Sequence, residues 1–390
     1  ATLNLVDLPK HKGLMVAHFS SDKDSLNLVE SLLDFRPSAV EYIDKPTLDA
    51  SKSNALQKKN RVWINKDPQS VLIIEFFSNT EKELSAKLDS CKQWLLSNKA
   101  YHVGIISNKN YPKVWEIRKA GLGLLMGKVG AKKAIAIIED VAVPLKYLYC
   151  YYQEIKSLML SYNVEAIYYG HASVGLIHVR PLLDLSNDVD YDKAKNISLK
   201  VSEIVKKYKG SLSGEHGDGR VRAPYLQEQF GQKVYQYLVN LKNTFDPNNL
   251  LNPGSIILDV DKVANLREVG APKVELTTKL DWSRDISFAY AAEKCNGAGA
   301  CRKSTGGVMC PSYRATREEN LSTRGRANLL RKALYSKNPI KELKSDELKE
   351  ALDLCLSCKA CKSECPANVD MSRLKSEYLY QIRSKNPLQD

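Results

Sequence analysis

AIYYGHASVGLIHVRP, residues 166–181, is the stretch that decides the fold. Its first half, AIYYGHA, has the β-branched and aromatic content of a strand, and LIHVRP continues in the same vein after Ser173 and Gly175. His171 and His178 stand on either side of that break. The spacing predicts a hairpin, and therefore an antiparallel pair. Two imidazoles on facing strands across a tight turn reach one divalent ion, a geometry that an odd separation along one straight strand does not offer.

Outward from this hairpin the pattern alternates. LMVAHFS (14–20), SVLIIEFF (70–77), YHVGIIS (101–107) and AIAIIED (134–140) read as strands. DSLNLVESLLDF (24–35), EKELSAKLDSCKQWLLSN (81–98) and YLYCYYQEIKSLMLSYN (147–163) read as amphipathic helices. ISLKVSEIVKKYKG (197–210) and QKVYQYLVNLKNTFD (232–246) add two more, and FDPNNLLNPG (245–254) closes the unit with turn residues. The expectation is an α+β domain on an antiparallel sheet over residues 1–258. A stretch without clear periodicity, 259–282, reads as a linker. Residues 283–390 read as a small all-α domain, with helices such as NLSTRGRANLLRKALYS (320–336) around cysteine loops.

The cysteine loops carry their own chemistry. CLSCKACKSECP (355–366) places Cys355, Cys358, Cys361 and Cys365 in a C-x2-C-x2-C-x3-C-P spacing, the pattern that wraps an iron-sulfur cubane. Zinc or a disulfide staple are the bland alternatives, and zinc usually takes two separated pairs. Upstream, KCNGAGACRKSTGGVMCPSY (294–313) follows the same template with Cys295, Cys301 and Cys310, but Ala298 stands where the middle cysteine belongs. In two-cluster ferredoxins the cysteine before proline ligates the other cluster. Cys310 is therefore expected to join Cys355, Cys358 and Cys361 around a complete 4Fe-4S cluster. Cys295, Cys301 and Cys365 are left for a second site, which suits a 3Fe-4S cluster, a 4Fe-4S cluster with a non-cysteine ligand, or no cluster at all.

Composition bounds the rest. The chain has 390 residues, 43% hydrophobic, enough for about two packed domains. The formal charge of +13 is spread along the chain without a nucleic-acid motif, so no nucleic-acid partner is expected; a positive field steers a small carboxylate or an acidic protein. Seven of the nine cysteines follow residue 294, and Cys91 and Cys150 read as buried free thiols in apolar helices. Disulfides are not expected, and cluster thiolates point to a reducing compartment. With no secretory signal or apolar run of membrane-spanning length, the expectation is a cytoplasmic protein, with contact at the inner face of the membrane left open. The start, ATLNLVDLPKHKG, without an initiator methionine, points to a piece of a longer polypeptide.

A second glycine-rich motif, SGEHGDGR (213–220), places Glu215 and His216 in a loop where ligands approach the backbone closely. His171, His178 and Glu215 make a metal set of two imidazoles and one carboxylate with an open position, and His216 is left to act as a base. Each motif by itself has a structural reading, a hydrogen-bonded histidine or a plain turn.

GHASVGLIHVRP, SGEHGDGR and FDPNNLLNPGSI resemble the C-terminal domain of FAD-linked oxidases of the D-lactate dehydrogenase, glycolate oxidase and D-2-hydroxyglutarate dehydrogenase type. The cysteine region resembles the ferredoxin-like module fused to some of these enzymes and found as a separate subunit in others. The resemblance implies that His171, His178 and Glu215 hold a zinc-like ion that binds the carboxylate and hydroxyl oxygens of a small 2-hydroxy acid. It implies that His216 removes the hydroxyl proton while a hydride passes to FAD. Arg118, in KVWEIRKAG, matches an arginine that pairs with a substrate carboxylate, and Asn252, in LLNPG, one that reaches the flavin or a nearby loop. For a further substrate-contacting lysine, Lys128, Lys132 and Lys133 compete. The family's flavin-binding region has no counterpart before Leu14, so most of the FAD site belongs to a separate domain or subunit. The function implied is a part of an FAD-dependent, iron-sulfur D-2-hydroxyacid dehydrogenase that passes electrons through its clusters to a quinone or another protein. The alternative is a non-catalytic electron-transfer subunit that docks to a separate flavoprotein.

Overall fold

The computed structural model of the chain describes residues 2–5, 7–53, 55–126, 132–137, 139–185, 187–257 and 276–383. Two compact units are distinguished: Ala1–Gly121, Ala134–Leu183 and Asp188–Leu266 form one, and Leu122–Lys133, Asp184–Asn187 and Arg267–Asp390 the other. Most of the expected linker, 259–275, lies outside the described residues.

The first unit is built on one mixed-length sheet. Its strands are β1 His11–Phe19, β2 Ala39–Asp44, β3 Ser70–Ser78, β4 His102–Ile106, β5 Lys133–Ala134, β6 Asp140–Ala142, β7 Ala166–His171 and β8 Leu176–Leu183. They run in the order β4-β1-β3-β2-β7-β8-β5, with β6 also pairing β8. The registered pairs are antiparallel, for example Met15 opposite Ile74 and Ile43 opposite Tyr169. The fold is α+β.

Alternation along β1 explains why both faces are covered. Leu14 and Val16 join Ile43, Val71, Ile73, Val114 and Ile117 in one core cluster. Against the sheet packs the helix Glu81–Ser97, which buries Leu84, Leu88, Cys91 and Leu95, a stripe at helical spacing. Thr80 caps that helix by accepting from Glu83 N at 3.3 Å. Cys91 is fully buried, and burial pushes its thiol up to about 12. Cys150 is exposed, contrary to expectation. The helix Leu148–Ser161 turns Leu148, Tyr151, Tyr152, Ile155 and Met159 inward, and position 150 falls outside that stripe.

Several elements differ from the sequence pattern. The expected strand 134–140 is split into β5 and β6, although Ile135 N and Glu139 O still bond to the β8 residues Pro181 and Val179. The expected helix 24–35 breaks into Asp22–Leu26, Val29–Leu32 and a 3-10 turn Leu33–Phe35; the Ser25 hydroxyl bonds back to Asp22 O and meets Ser70 Oγ on β3. Strand β2 goes unannounced because Glu41 interrupts its apolar run, and the helix Tyr111–Met126 because Gly121 and Gly123 weaken its propensity.

The second unit is helix and loop throughout 276–383, with helices including Phe288–Glu293, Pro311–Thr316, Thr323–Leu334, Asp346–Asp353 and Met371–Arg383. Trp282, Phe288, Leu330, Leu352, Leu374 and Tyr378 share one core with Cys295, Cys301, Cys310 and Cys361. Glu377, fully buried, ties the start of this unit to its last helix by accepting from Leu280 N at 2.9 Å and Trp282 Nε1 at 3.1 Å. Among the described residues no helix is long and apolar enough to cross a membrane.

Candidate functional site

The β7–β8 hairpin forms, and sheet register does the positioning. Glu41 on β2 lies opposite His171, while Tyr169 on β7 and Asp140 on β6 lie opposite His178. The turn between the strands is closed by Gly175 at φ 71°, where an added Cβ would stand 2.0 Å from Val143 O. That turn tolerates only glycine. The 213–216 loop is clamped to the same place by Asp140, whose Oδ2 accepts from Ser213 Oγ (2.8 Å), Glu215 N (3.1 Å) and His216 N (2.7 Å).

Three imidazoles converge on one oxygen. Glu215 Oε1 lies 3.0 Å from His171 Nε2, 3.4 Å from His178 Nε2 and 3.6 Å from His216 Nε2. Each ring is oriented through its other nitrogen. His171 Nδ1 meets Glu41 Oε1 at 2.6 Å, His178 Nδ1 the carbonyl of Glu139 at 3.2 Å, and His216 Nδ1 Glu139 Oε1 at 2.8 Å. Anchoring one ring nitrogen so that the other faces a metal is the usual arrangement behind ligating histidines.

The donor set fits a divalent ion. Donors about 2.0–2.1 Å from a tetrahedral zinc stand about 3.3–3.4 Å apart, close to the separations around Glu215. Asp140, His178, Glu215 and His216 also form a group whose ligand atoms lie within 4.8 Å of one another. Asp140 Oδ2 already accepts three hydrogen bonds from the loop, whereas its Oδ1 is buried without a hydrogen-bond partner and is left as a further donor atom. His171 Nε2, outside that group, makes the shortest approach to Glu215. Exposure divides the site: His178 and Asp140 are buried, whereas Glu215 and His216 are open to solvent.

Charges behind the rings are balanced. Burial would raise the carboxyl of Glu139, but His178, Arg180 and His216 outweigh it and hold it down at about 2. Arg180 Nη2 at 3.1 Å and Arg222 Nη2 at 3.2 Å are its cationic neighbours. His171 is raised above the ordinary imidazole range, chiefly by its bond to Glu41. Arg118 Nε also donates to Glu41, at 2.7 Å, and its guanidinium lies 5.0 Å from the Tyr169 ring centroid. Asn252 is exposed at φ 48° and accepts from Arg220 Nη2 at 3.4 Å. Of the competing lysines, Lys128 lies outside the described residues, Lys132 is exposed and Lys133 is buried. Glu41, Glu139, Asp140 and Arg222 go unnoticed in the sequence reading; the one available signal is the acidic pair closing the apolar run AIAIIED.

In the second unit, Cys310, Cys355, Cys358 and Cys361 line one pocket together with Thr323 and Arg326. The 355–361 loop winds tightly because Ser357 (φ 52°) and Lys359 (φ 62°) both take the left-handed conformation. Burial would raise the Cys310 thiol, but Ser312 and the Arg326 guanidinium hold it below its ordinary value. Burial pushes Cys361 up to about 11 and raises Cys301 and Cys365. Cys365 lies near enough to Cys295 and Cys301 to feel their charges, and Cys301 Sγ accepts from Arg324 N at 3.3 Å. Ala298, at the missing position, is exposed.

Residues 8–256 match the family described as FAD linked oxidases, C-terminal domain, and residues 291–369 match the 4Fe-4S dicluster domain. The chain is 30% identical to the D-2-hydroxyglutarate dehydrogenase of Pseudomonas putida, over 100% of this chain and 43% of that protein. It is 29% identical to the enzyme of the same name from Haemophilus influenzae, over 100% of this chain and 42% of that protein. With glycolate oxidase subunit GlcD of Bacillus subtilis it shares 24% identity, over 66% of this chain and 53% of that protein. The chain thus spans less than half the length of the two dehydrogenases.

Proposed function

The chain belongs to the family of FAD linked oxidases, C-terminal domain, with a 4Fe-4S dicluster domain behind that region, and from this premise we propose that it is the substrate-binding and electron-relaying part of a D-2-hydroxyacid dehydrogenase. The observation that carries the reading is the convergence of three imidazole Nε2 atoms on Glu215 Oε1. His171, His178 and Glu215 would hold the divalent ion, zinc by the chemistry of the donor set. Such an ion, when bound, lowers the pKa of a coordinated hydroxyl.

His216 takes the hydroxyl proton at Nε2, because its Nδ1 is committed to Glu139 at 2.8 Å. Glu139, held as the anion by Arg180 and Arg222, then balances the imidazolium. Arg118 gives Nε to Glu41 and offers its remaining N–H groups to a substrate carboxylate. FAD, when bound, accepts the C2 hydride. The flavin-binding domain or subunit has a surface to cover: Val234, Tyr237, Leu241 and Phe245 on the helix Gln232–Phe245 are exposed, as are Leu250 and Leu251 beside Asn252. Cys310, Cys355, Cys358 and Cys361 would hold a 4Fe-4S cluster, and Cys295, Cys301 and Cys365 would hold a second one; such clusters would pass electrons singly toward a quinone or protein acceptor. The free cysteines suit the reducing cytoplasm.

The test uses the whole FAD-containing polypeptide with a panel of D-2-hydroxy acids headed by 2-hydroxyglutarate. His216→Ala is expected to lower kcat by roughly 10²–10⁴ with flavin still bound. Metal analysis is expected to find one divalent ion per chain, lost in His171→Ala. Full turnover in His216→Ala, or a metal content unmoved by His171→Ala, would overturn the reading.

A further inference from the structure

Helix Thr323–Leu334 carries two arginines to the cysteine loops, and they differ in counter-charge. Arg324 is paired with Glu319 through Nε at 2.7 Å and Nη2 at 3.0 Å. Arg326 is 1% exposed, the bulkiest of the fully buried side chains. Its Nε donates to Ala351 O at 2.5 Å, its Nη2 to Ser312 Oγ at 2.9 Å and its Nη1 to Cys310 Sγ at 3.5 Å. None of these partners is a carboxylate, and among the described residues no ion pair involves Arg326.

A buried cation without a counter-ion is costly and is kept only where negative charge compensates it. Guanidinium does not escape by losing its proton. The compensating charge has one place to be, the pocket that Arg326 lines with Cys310, Cys355, Cys358 and Cys361. A cubane held by four thiolates is anionic, and its reduced state carries one negative charge more. We propose that Arg326 sets the reduction potential of this cluster, raising it by stabilising the reduced state. The inference rests on the cluster assignment made above. One electron enters the cluster, from flavin in the whole enzyme or from dithionite in a titration, and no bond or proton moves.

The experiment is an EPR-monitored dithionite titration of the anaerobically reconstituted chain, with iron counted in every sample. Arg326→Gln is expected to retain its iron and to shift the one-electron equilibrium at least tenfold toward the oxidised cluster, a fall of 59 mV or more. Arg326→Lys keeps the charge but not the fork that spans Cys310 and Ser312, and is expected to fall between the two. An unchanged potential in Arg326→Gln with full iron overturns the proposal. If the glutamine variant does not hold iron, Arg326→Met, equally neutral and of similar length, decides: a fall of 59 mV or more with iron retained upholds the proposal and the wild-type value overturns it. A wild-type chain that binds no iron refutes the cluster assignment instead, so the two failures are told apart.

Discussion

The histidine site and the cysteine pocket are built by opposite means. The first draws on positions 41, 139–140, 171–178 and 215–216, brought together by cross-strand register and by a carboxylate that clamps a loop. The second draws on two loops whose own spacing brings the thiols together. The anchors of the histidine rings, Glu41 and Glu139, belong to the protein, so that site is organised before any ion arrives. The cysteine pocket instead sets buried thiols beside the Arg326 guanidinium, which has three hydrogen bonds but no carboxylate partner.

The largest effect separates the two. Cys358→Ser is expected to remove the visible absorption and the iron of one cluster completely and to loosen the helices of 276–383, with divalent metal retained. His178→Gln is expected to abolish the divalent metal and leave iron and absorption at wild-type levels. Elemental analysis with visible spectra reads both, and a variant that strips both metals would break the contrast.

The same contrast explains what the sequence makes legible. The C-x2-C-x2-C-x3-C spacing is a local pattern, the two-cluster ferredoxin rule adds Cys310 to Cys355, Cys358 and Cys361, and these four do line one pocket. The hairpin is legible because glycine and histidine mark its turn. Glu41 and Asp140 are not, since what makes them matter is a strand partner far away in sequence: Glu41 looks like an interruption in AVEYID until β2 lies beside β7. Arg326 hides in the opposite way. Arg324 and Arg326 look alike in the sequence RGR, and only the packed helix separates the paired Arg324 from the buried Arg326.

A backbone substitution sharpens the contrast next. Gly175→Ala forces a Cβ to 2.0 Å from Val143 O at φ 71°, combining left-handed strain with overpacking. We expect a loss of roughly 2–6 kcal/mol in urea denaturation. Because the same turn sets the register of His171 and His178, divalent-metal affinity should fall with it while iron content holds. Normal metal affinity in a destabilised Gly175→Ala would mean that the ligands do not depend on the sheet.

The smallest effect concerns a histidine that the sheet uses for something else. His18, on β1, is fully buried, with its Nε2 accepting from Asn65 N at 3.2 Å and its Nδ1 without a hydrogen-bond partner. Burial, helped by the neighbouring His102, lowers it to about 4, whereas the bond to Glu41 raises His171 in the open site. A group depressed in the folded state gives stability that is complete above its unfolded pKa, 6.5, and is lost as pH falls through about 4. The loss is about 3 kcal/mol across that window. Asp44, pushed up to about 7 by burial, tilts stability the other way over part of the same range. The readout is therefore the difference between wild type and His18→Gln, which keeps an acceptor for Asn65 but does not titrate. Denaturation curves at pH 6.5, 5 and 4 should show wild type losing about 3 kcal/mol more than the variant. Parallel pH dependences, or a His18 ring that titrates near 6.5 by NMR, would mean that this buried histidine is as accessible to protons as the histidines of the open site.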